Sequence, residues 1–236
     1  MNTRAAVPST FAMKWPTLPA VARAFNEIGR DFHTRGWVLG TSGNFSTVIS
    51  RKPLKLIITA SSVSKGDIRP NDVLTVGVNG IPVGKSRKSP KSGVRPSAET
   101  ALHLAVVQSR GAGAVLHTHS VWSTVLSELY GAERGLRLSG FEMLKGLEGV
   151  RTHAHTEWVP ILENDQDIPA LARRVEAVME QSPAIHGFLL RGHGLYTWGD
   201  DLAQARRHVE ILEFLLETTG RMQTLTGDGH GPGKNS

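Results

Sequence analysis

The sequence predicts one α/β domain in three layers, with helices packed on both sides of a mostly antiparallel or mixed sheet. Three observations carry that expectation. Helical and strand-like periodicities alternate through the middle of the chain. Several strand-like runs are joined by turns short enough for hairpins. No internal repeat or composition break divides the 236 residues, of which 39% are hydrophobic and 20% charged, enough for one sizeable core.

The first element is a helix over Leu18 to Thr34, where Val21, Phe25, Ile28 and Phe32 recur at three- and four-residue steps and Gly36 follows. Residues 1–17 read as an extension in front of it. Ser42-Gly43-Asn44 is turn chemistry, after which Phe45 to Ser50, Leu54 to Ala60 and Val73 to Val78 read as strands, the last followed by an Asn79-Gly80 turn. Lys85 to Arg95 reads as a mobile basic connection. Pro96-Ser97 then opens a helix, with Ser97 as the expected N-cap, that buries Ala101, Leu102, Ala105 and Val106.

Gly111 to Gly113 end that helix, Ala114 to His117 form a buried strand, and Ser120 caps a helix that ends near Tyr130. Trp158 to Ile161 is a further strand, and Asp167 with Pro169 starts a helix reaching about Glu180. Ile185 to Leu190 and Leu195 to Trp198 flank Arg191-Gly192-His193-Gly194 as a hairpin. A last helix from Asp200 buries Leu202, Ala205, Val209, Leu212 and Leu216. The domain is expected over residues 18–222 and a disordered tail over 223–236, above all from Gly227, where no apolar face remains.

Composition narrows the function. No run of 18 apolar residues occurs and Met1 to Trp15 lacks a continuous apolar segment, so neither a membrane span nor a secretory signal is expected and the cytoplasm is the expected location. Without cysteine, any metal must be held by imidazole, carboxylate or carbonyl groups. The formal charge of +6 is concentrated in Lys85 to Arg95 with no interleaved aromatics, which reads as a solvated loop rather than a nucleic-acid surface, and suits an anionic small substrate equally well.

His117-Thr118-His119 is the strongest local signal. Residues two apart on an extended segment point to one side, with Cβ atoms roughly 6–7 Å apart, so two imidazoles can share a cation. Alone, such a pair is more often one buried and one exposed histidine. His193, between Gly192 and Gly194 at a tight turn, shifts the balance, because a catalytic zinc site takes three protein ligands and keeps one position open. His208 lies in an amphipathic helix and reads as structural, while spacing does not assign His103 or His155.

Two carboxylates are candidates for acid–base work. Glu99 sits at a helix start, where a carboxylate also complements the helix dipole. Glu142, in Ser139-Gly140-Phe141-Glu142-Met143, has no obvious charge partner nearby in sequence. Anion-binding candidates are Thr41-Ser42-Gly43-Asn44, Ser61-Ser62 with Lys65-Gly66, and Ser97; each alone is an ordinary loop, and together they suit a phosphate.

Thr41-Ser42-Gly43-Asn44, Pro96-Ser97-Ala98-Glu99 with His103, His117-Thr118-His119-Ser120 and Arg191-Gly192-His193-Gly194, in this order, resemble the class II aldolase and adducin-head superfamily over roughly residues 18–222. Glu142 to Gly146 within Leu138 to Gly146, Val159-Pro160-Ile161 with Glu163 to Ile168, and Gly194 to Gly199 look most like its bacterial methylthioribulose-1-phosphate dehydratases. The resemblance implies one Zn2+ per subunit on His117, His119 and His193, and a phosphate pocket around Gly43, Asn44, Ser61, Ser62 and Ser97. It also implies a homotetramer with active sites near subunit interfaces, and a phosphorylated ketose dehydrated in methionine salvage. Glu142 is the first candidate for proton transfer and Glu99, at the aldolases' acid–base position, the second. Ser62 departs from the pattern, which has glycine there, and Lys85 to Arg95 is longer and more basic than usual. A sugar-phosphate aldolase or epimerase, and a non-catalytic adducin-head-like module, are the competing readings.

Overall fold

A computed structural model describes residues 16–83 and 94–227. The expectations for most of the N-terminal extension, for the basic connection and for the end of the tail lie outside the described residues. Eight strands form one sheet: β1 (Asn44–Arg51), β2 (Leu54–Thr59), β3 (Val73–Gly77), β4 (Ala114–Thr118), β5 (Gly135–Ser139), β6 (Thr156–Leu162), β7 (Gly187–Leu190) and β8 (Gly194–Gly199). Their order is β3-β2-β1-β4-β8-β7-β6-β5. All neighbours are antiparallel except β6 and β7, so the sheet is mixed with one parallel pair.

The helices α1 (Leu18–Thr34), α2 (Thr100–Arg110), α3 (Val121–Leu129), α4 (Ile168–Gln181) and α5 (Leu202–Thr226) cover both faces. On one face α2 and α4 pack Leu102, Val106, Leu171 and Val175 against Leu56, Val115, Phe188 and Tyr196. On the other, α1 sets Phe25 and Phe32 against Phe45 and Leu116, and α5 with α3 packs Leu212 and Leu126 against Leu189 and Leu195. Alternate residues of β4 therefore feed opposite cores, as the two-residue period of a strand requires.

Start signals hold for two helices, and a third helix is capped one residue later than expected. Ser120 Oγ accepts from Ser123 N at 2.9 Å, Asp167 Oδ1 from Ala170 N at 3.0 Å and Asp201 Oδ1 from Gln204 N at 2.8 Å, each satisfying an orphan donor of its first turn. The last helix starts two residues after Asp200, because Asp201 and not Asp200 makes that cap, and it continues to Thr226, so residues 223–226, expected in the disordered tail, are helical. Ser97 is not the N-cap of α2: that position falls on Glu99, which makes no side-chain cap bond. A separate turn comes first, in which the Ser97 carbonyl accepts from Thr100 N and Oγ1 while Ser97 Oγ accepts from Glu99 N at 3.3 Å. Strand β5 is absent from the sequence reading. It is short, and only Leu136 and Leu138 alternate inward, so its periodicity is weak until β6 pairs with it.

The centre of the sheet is packed to backbone distance. A Cβ on Gly194 would stand 2.0 Å from the Thr118 carbonyl oxygen, so only glycine lets β8 start this close to the end of β4. Behind the same segment, α5 presents Glu213, which is 1% exposed and accepts a hydrogen bond from Thr118 Oγ1. Burial pushes the Glu213 carboxyl up to about 7, although hydrogen bonds from Ser120 and Thr118 oppose the shift.

Two predictions follow from this packing. Gly194→Ala is expected to cost about 3 kcal/mol, roughly 6–12 °C in Tm, because the inserted methyl must separate β4 from β8; an unchanged melting temperature would show that the contact relaxes freely. A carboxyl whose folded pKa is raised binds its proton more tightly when folded. Its stabilisation is fully present below the unfolded value and is lost as pH rises through about 7. Glu213→Gln should remove that loss, so its stability relative to the parent should rise by roughly 3 kcal/mol between pH 4 and pH 8 in paired denaturant titrations.

Candidate metal centre and active site

His117 is the penultimate residue of β4, His119 lies just beyond the strand, and His193 sits in the β7–β8 turn, where Gly192 takes φ +61 and His193 N donates to the Leu190 carbonyl. The antiparallel β4–β8 register, with His117 opposite Tyr196 and Thr118 opposite Leu195, brings that turn over the two histidines. His119 is fixed independently, its N–H donating to the Trp37 carbonyl at 2.7 Å. The three side chains converge so that one ligand atom from each lies within 4.8 Å of the others. His119 Nε2 is 2.8 Å and His193 Nε2 is 3.3 Å from His117 Nε2.

Those nitrogens suit a shared cation. Ring nitrogens on one tetrahedral zinc stand about 3.4 Å apart. The Leu195 carbonyl, 2.9 Å from His117 Nδ1, can only accept, so that nitrogen carries the proton and Nε2 turns a bare lone pair to the centre. Burial lowers all three imidazoles: His117 far below the usual range, His119 to about 4, and His193 against the opposing pull of Glu99. Neutral imidazole is the form that binds a metal. Tyr196 stacks on His117 with ring centroids 3.9 Å apart and fixes its plane.

Glu99 faces the same centre. Its carboxylate oxygens lie 3.5 Å from His117 Nε2 and 3.4 Å from His193 Nε2. A buried relay holds it: Asn44 Nδ2 donates to Glu99 Oε2 at 2.6 Å, Asn44 Oδ1 meets His103 Nε2, and His103 Nδ1 meets Ser46 Oγ at 2.7 Å. Because Asn44 Oδ1 accepts, His103 carries its proton on Nε2 and receives the Ser46 hydroxyl on Nδ1. Burial lowers His103 to about 3, so it stays neutral. The relay commits the Asn44 side chain to Glu99. His103, unassigned by spacing, emerges as a positioning residue.

The anion-binding candidates gather on one cavity of about 340 Å³, lined by Gly43, Asn44, Ser61, Ser62, Ser97 and, beside them, Glu99, His119 and His193. Close packing brings them there, since a Cβ on Gly43 (φ +71) would meet the His117 carbonyl oxygen at 2.6 Å. Ser62 has φ +61, the left-handed conformation that favours glycine, which accounts for the glycine expected at that position. Lys65 ties the two loops: its ammonium is 1% exposed and donates to the Thr41 carbonyl at 2.7 Å and the Val63 carbonyl at 2.5 Å. Burial lowers it to about 8, against the pull of Glu99, so at neutral pH it is predominantly a cation beneath the cavity.

Glu142 is not among the cavity's residues. It lies on an exposed 3-10 turn, Glu142–Gly146, paired with Lys145 and 3.8 Å from His153. No charge partner for it is expected from its neighbourhood in sequence, yet Lys145, one helical turn on, is one. His155 also has a local role, with its Nε2 2.9 Å from the buried Glu157, and His208 is structural, donating from Nδ1 to the Trp198 carbonyl at 2.8 Å. One wall of the cavity is absent from the sequence reading of the site: Asn164, Asp165, Gln166 and Ile168, between β6 and α4. Its only sequence signal is that Glu163 to Ile168 also carries the family resemblance.

Curated relatives share most of the chain. The methylthioribulose-1-phosphate dehydratase of Sorangium cellulosum is 44% identical over 199 residues, covering 84% of this chain and 90% of the relative. The protein of the same name from Enterobacter sp. is 45% identical over 192 residues, covering 81% and 89%. Among solved structures, the L-fuculose-1-phosphate aldolase of Thermus thermophilus matches with a TM-score of 0.67 and 25% identity, over 90% of this chain and all of that one (100%). Another L-fuculose 1-phosphate aldolase, at 22% identity and a TM-score of 0.71 over 93% and 92% of the two chains, shares the fold. Residues 23–219 match the family model described as the class II aldolase and adducin N-terminal domain, and with these relatives that match establishes that the chain belongs to this family.

Proposed function

We propose that the protein is a zinc-dependent hydro-lyase that dehydrates 5-methylthioribulose 1-phosphate to 2,3-diketo-5-methylthiopentyl 1-phosphate, a step of methionine salvage, as a cytoplasmic homotetramer. The observation that carries this reading is the juxtaposition, in one cavity, of the histidine triad, the Glu99 carboxylate and a cradle of hydroxyl and backbone groups. Relatives named for that dehydration supply the substrate.

His117, His119 and His193 would hold the ion. Imidazole donors without thiolate suit zinc. When bound, it supplies Lewis-acid stabilisation of negative charge developing on the ketose oxygens. The chain's own residues do the rest. Ser61, Ser62 and Ser97 bind the phosphate over the Lys65 cation, with Gly43 allowing close backbone approach. Glu99, oriented by Asn44 and His103, takes the C3 proton. Loss of the C4 hydroxyl as water leaves an enol that becomes the diketone.

Glu99 takes the first place in this reading because it lies 3.5 and 3.4 Å from two of the histidines, whereas Glu142 lies outside the cavity. Glu142 nevertheless retains a role in this reading, as the acid that protonates the departing hydroxyl in the site of a neighbouring subunit. Exposed apolar residues support a subunit contact on this side: Met143 lies beside Glu142, and the exposed Val121, Val125 and Leu129 line α3, which packs on α5 with its exposed Phe214.

Glu99→Gln should keep the metal yet lower kcat about 10²- to 10⁴-fold, with metal content and turnover measured on the same preparation; near-normal kcat would sink the assignment. His117→Ala should lose both metal and activity, and chelation of the parent should abolish turnover until zinc is restored. Glu142→Gln alone should also be metal-loaded and inactive. Co-assembled with His117→Ala subunits it should regain turnover, because only then does an intact triad meet an intact Glu142 across a subunit contact. Mixed oligomers as inactive as either parent would rule out the role across subunits.

A further inference from the structure

The cavity is polar along nearly all of its wall. Among the described residues lining it, the side chains without a polar atom belong to Gly43, Ala60, Ala98 and Ile168, and only Ile168 extends beyond a methyl group. Ile168 is half-buried, packed on the core that α2 and α4 share with the sheet, and its backbone N–H is held by the Gln166 carbonyl at 3.0 Å. Its position is therefore fixed from behind while part of the side chain borders the cavity.

Charge decides which end of a phosphorylated chain this wall can receive. Next to Ile168, the Asp165 carboxylate accepts from Asp167 N at 2.9 Å and from Arg174 Nη2 at 2.7 Å. The Asp167 amide and Arg174 hold it below the usual carboxylate range, so Asp165 and Arg174 stand at the wall as an ion pair without net charge. A phosphate finds no unpaired cation there and is favoured in the hydroxyl-rich loops above Lys65, whose ammonium meets only backbone carbonyls. With the phosphate in those loops and the carbonyl end at the histidines, the remaining uncharged end of the ketose must run toward Asn164 to Ile168.

We propose that Ile168 is a specificity-determining residue that receives the apolar substituent at the far end of the substrate from the phosphate, the alkylthio group under the function proposed above, on which this inference rests. The contact is dispersive and hydrophobic, and Asn164 and Gln166 border it as neutral amides beside the C4 hydroxyl. A side chain of this kind selects against the unsubstituted ketose phosphates by what it gains from the tail, and removing one methylene from such a contact is worth about tenfold or more in kcat/KM.

The test compares two substrates on one protein, 5-methylthioribulose 1-phosphate and 5-deoxyribulose 1-phosphate, which lacks the alkylthio group. Their kcat/KM ratio does not depend on the fraction of enzyme that is folded or metal-loaded. Ile168→Thr should lower the ratio about tenfold by acting on the methylthio substrate, and Ile168→Val should lower it by a smaller factor. An unchanged ratio in Ile168→Thr overturns the proposal. If that variant does not fold, Ile168→Val decides alone, an unchanged ratio again counting against Ile168. A parent protein that dehydrates neither substrate overturns the function itself and this inference with it, whereas an active parent with an insensitive ratio overturns only the role of Ile168.

Discussion

The antiparallel pairing of β4 with β8 is the constraint on which the rest depends. It places the end of one strand beside the start of the next at backbone contact, and the centre exists only because of that proximity. His117 comes from β4 and His193 from the turn that feeds β8, 76 residues apart in sequence. Gly194 makes the approach feasible, and Gly43 does the same from the β1 side against the His117 carbonyl. Both are positions where a methyl group would displace backbone rather than a flexible side chain. The Gly43 loop at the cavity and the turn that carries the third histidine are thus packed on the same short stretch of β4.

Burial at that junction sets the chemistry. Three imidazoles withdrawn from water lose the protonated form, because the charged state bears the desolvation penalty and neighbouring imidazolium charges would repel one another. Three neutral rings with facing lone pairs are in turn poorly satisfied without a cation. Glu99 adds a carboxylate beside two of them, at the cost of holding a half-buried acid in place. The relay through Asn44, His103 and Ser46 offsets that cost: each member donates and accepts in one direction, and His103 stays neutral because it is fully enclosed. A partly satisfied network would be worse than an apolar core here, since unpaired buried groups are the expensive ones.

The sequence is most legible where periodicity or backbone chemistry is local. The faces of α1 and α5, the hairpin around His193 and the caps at Ser120 and Asp167 all rest on residues within a few positions of one another, and each appears where that pattern places it. The Ser97 cap fails because a hydroxyl at a helix entry can equally serve a preceding turn, and only the Thr100 bonds decide between them. Strand β5 escapes because an edge strand with two inward leucines owes its regularity to its partner. In the site, the histidine triad is legible from spacing and a third glycine-flanked residue. The distances of Glu99 and Glu142 from the triad within one chain are not, since they depend on Asn44, 55 residues from Glu99, and on the 3-10 turn that carries Glu142 outward. No pattern in the chain announces such contacts in advance.

A triad with one carboxylate can serve an aldolase, an epimerase or a dehydratase, because each needs charge stabilised on adjacent oxygens and a proton moved at the neighbouring carbon. The bond that breaks is decided by what meets the atoms beyond that carbon. Under the proposed function those atoms would face the segment from Asn164 to Ile168, which offers amides, the Asp165–Arg174 ion pair and one aliphatic side chain. Asp165, already accepting from Arg174 and the backbone, is a poor proton donor. Protonation of a leaving hydroxyl must then come from Glu99 itself or from an acid brought in by another subunit. For the exposed Glu142 turn, beside the exposed Met143, to bring in such an acid, a subunit contact must replace its pairing with Lys145, which holds its carboxyl below the usual range in the single chain.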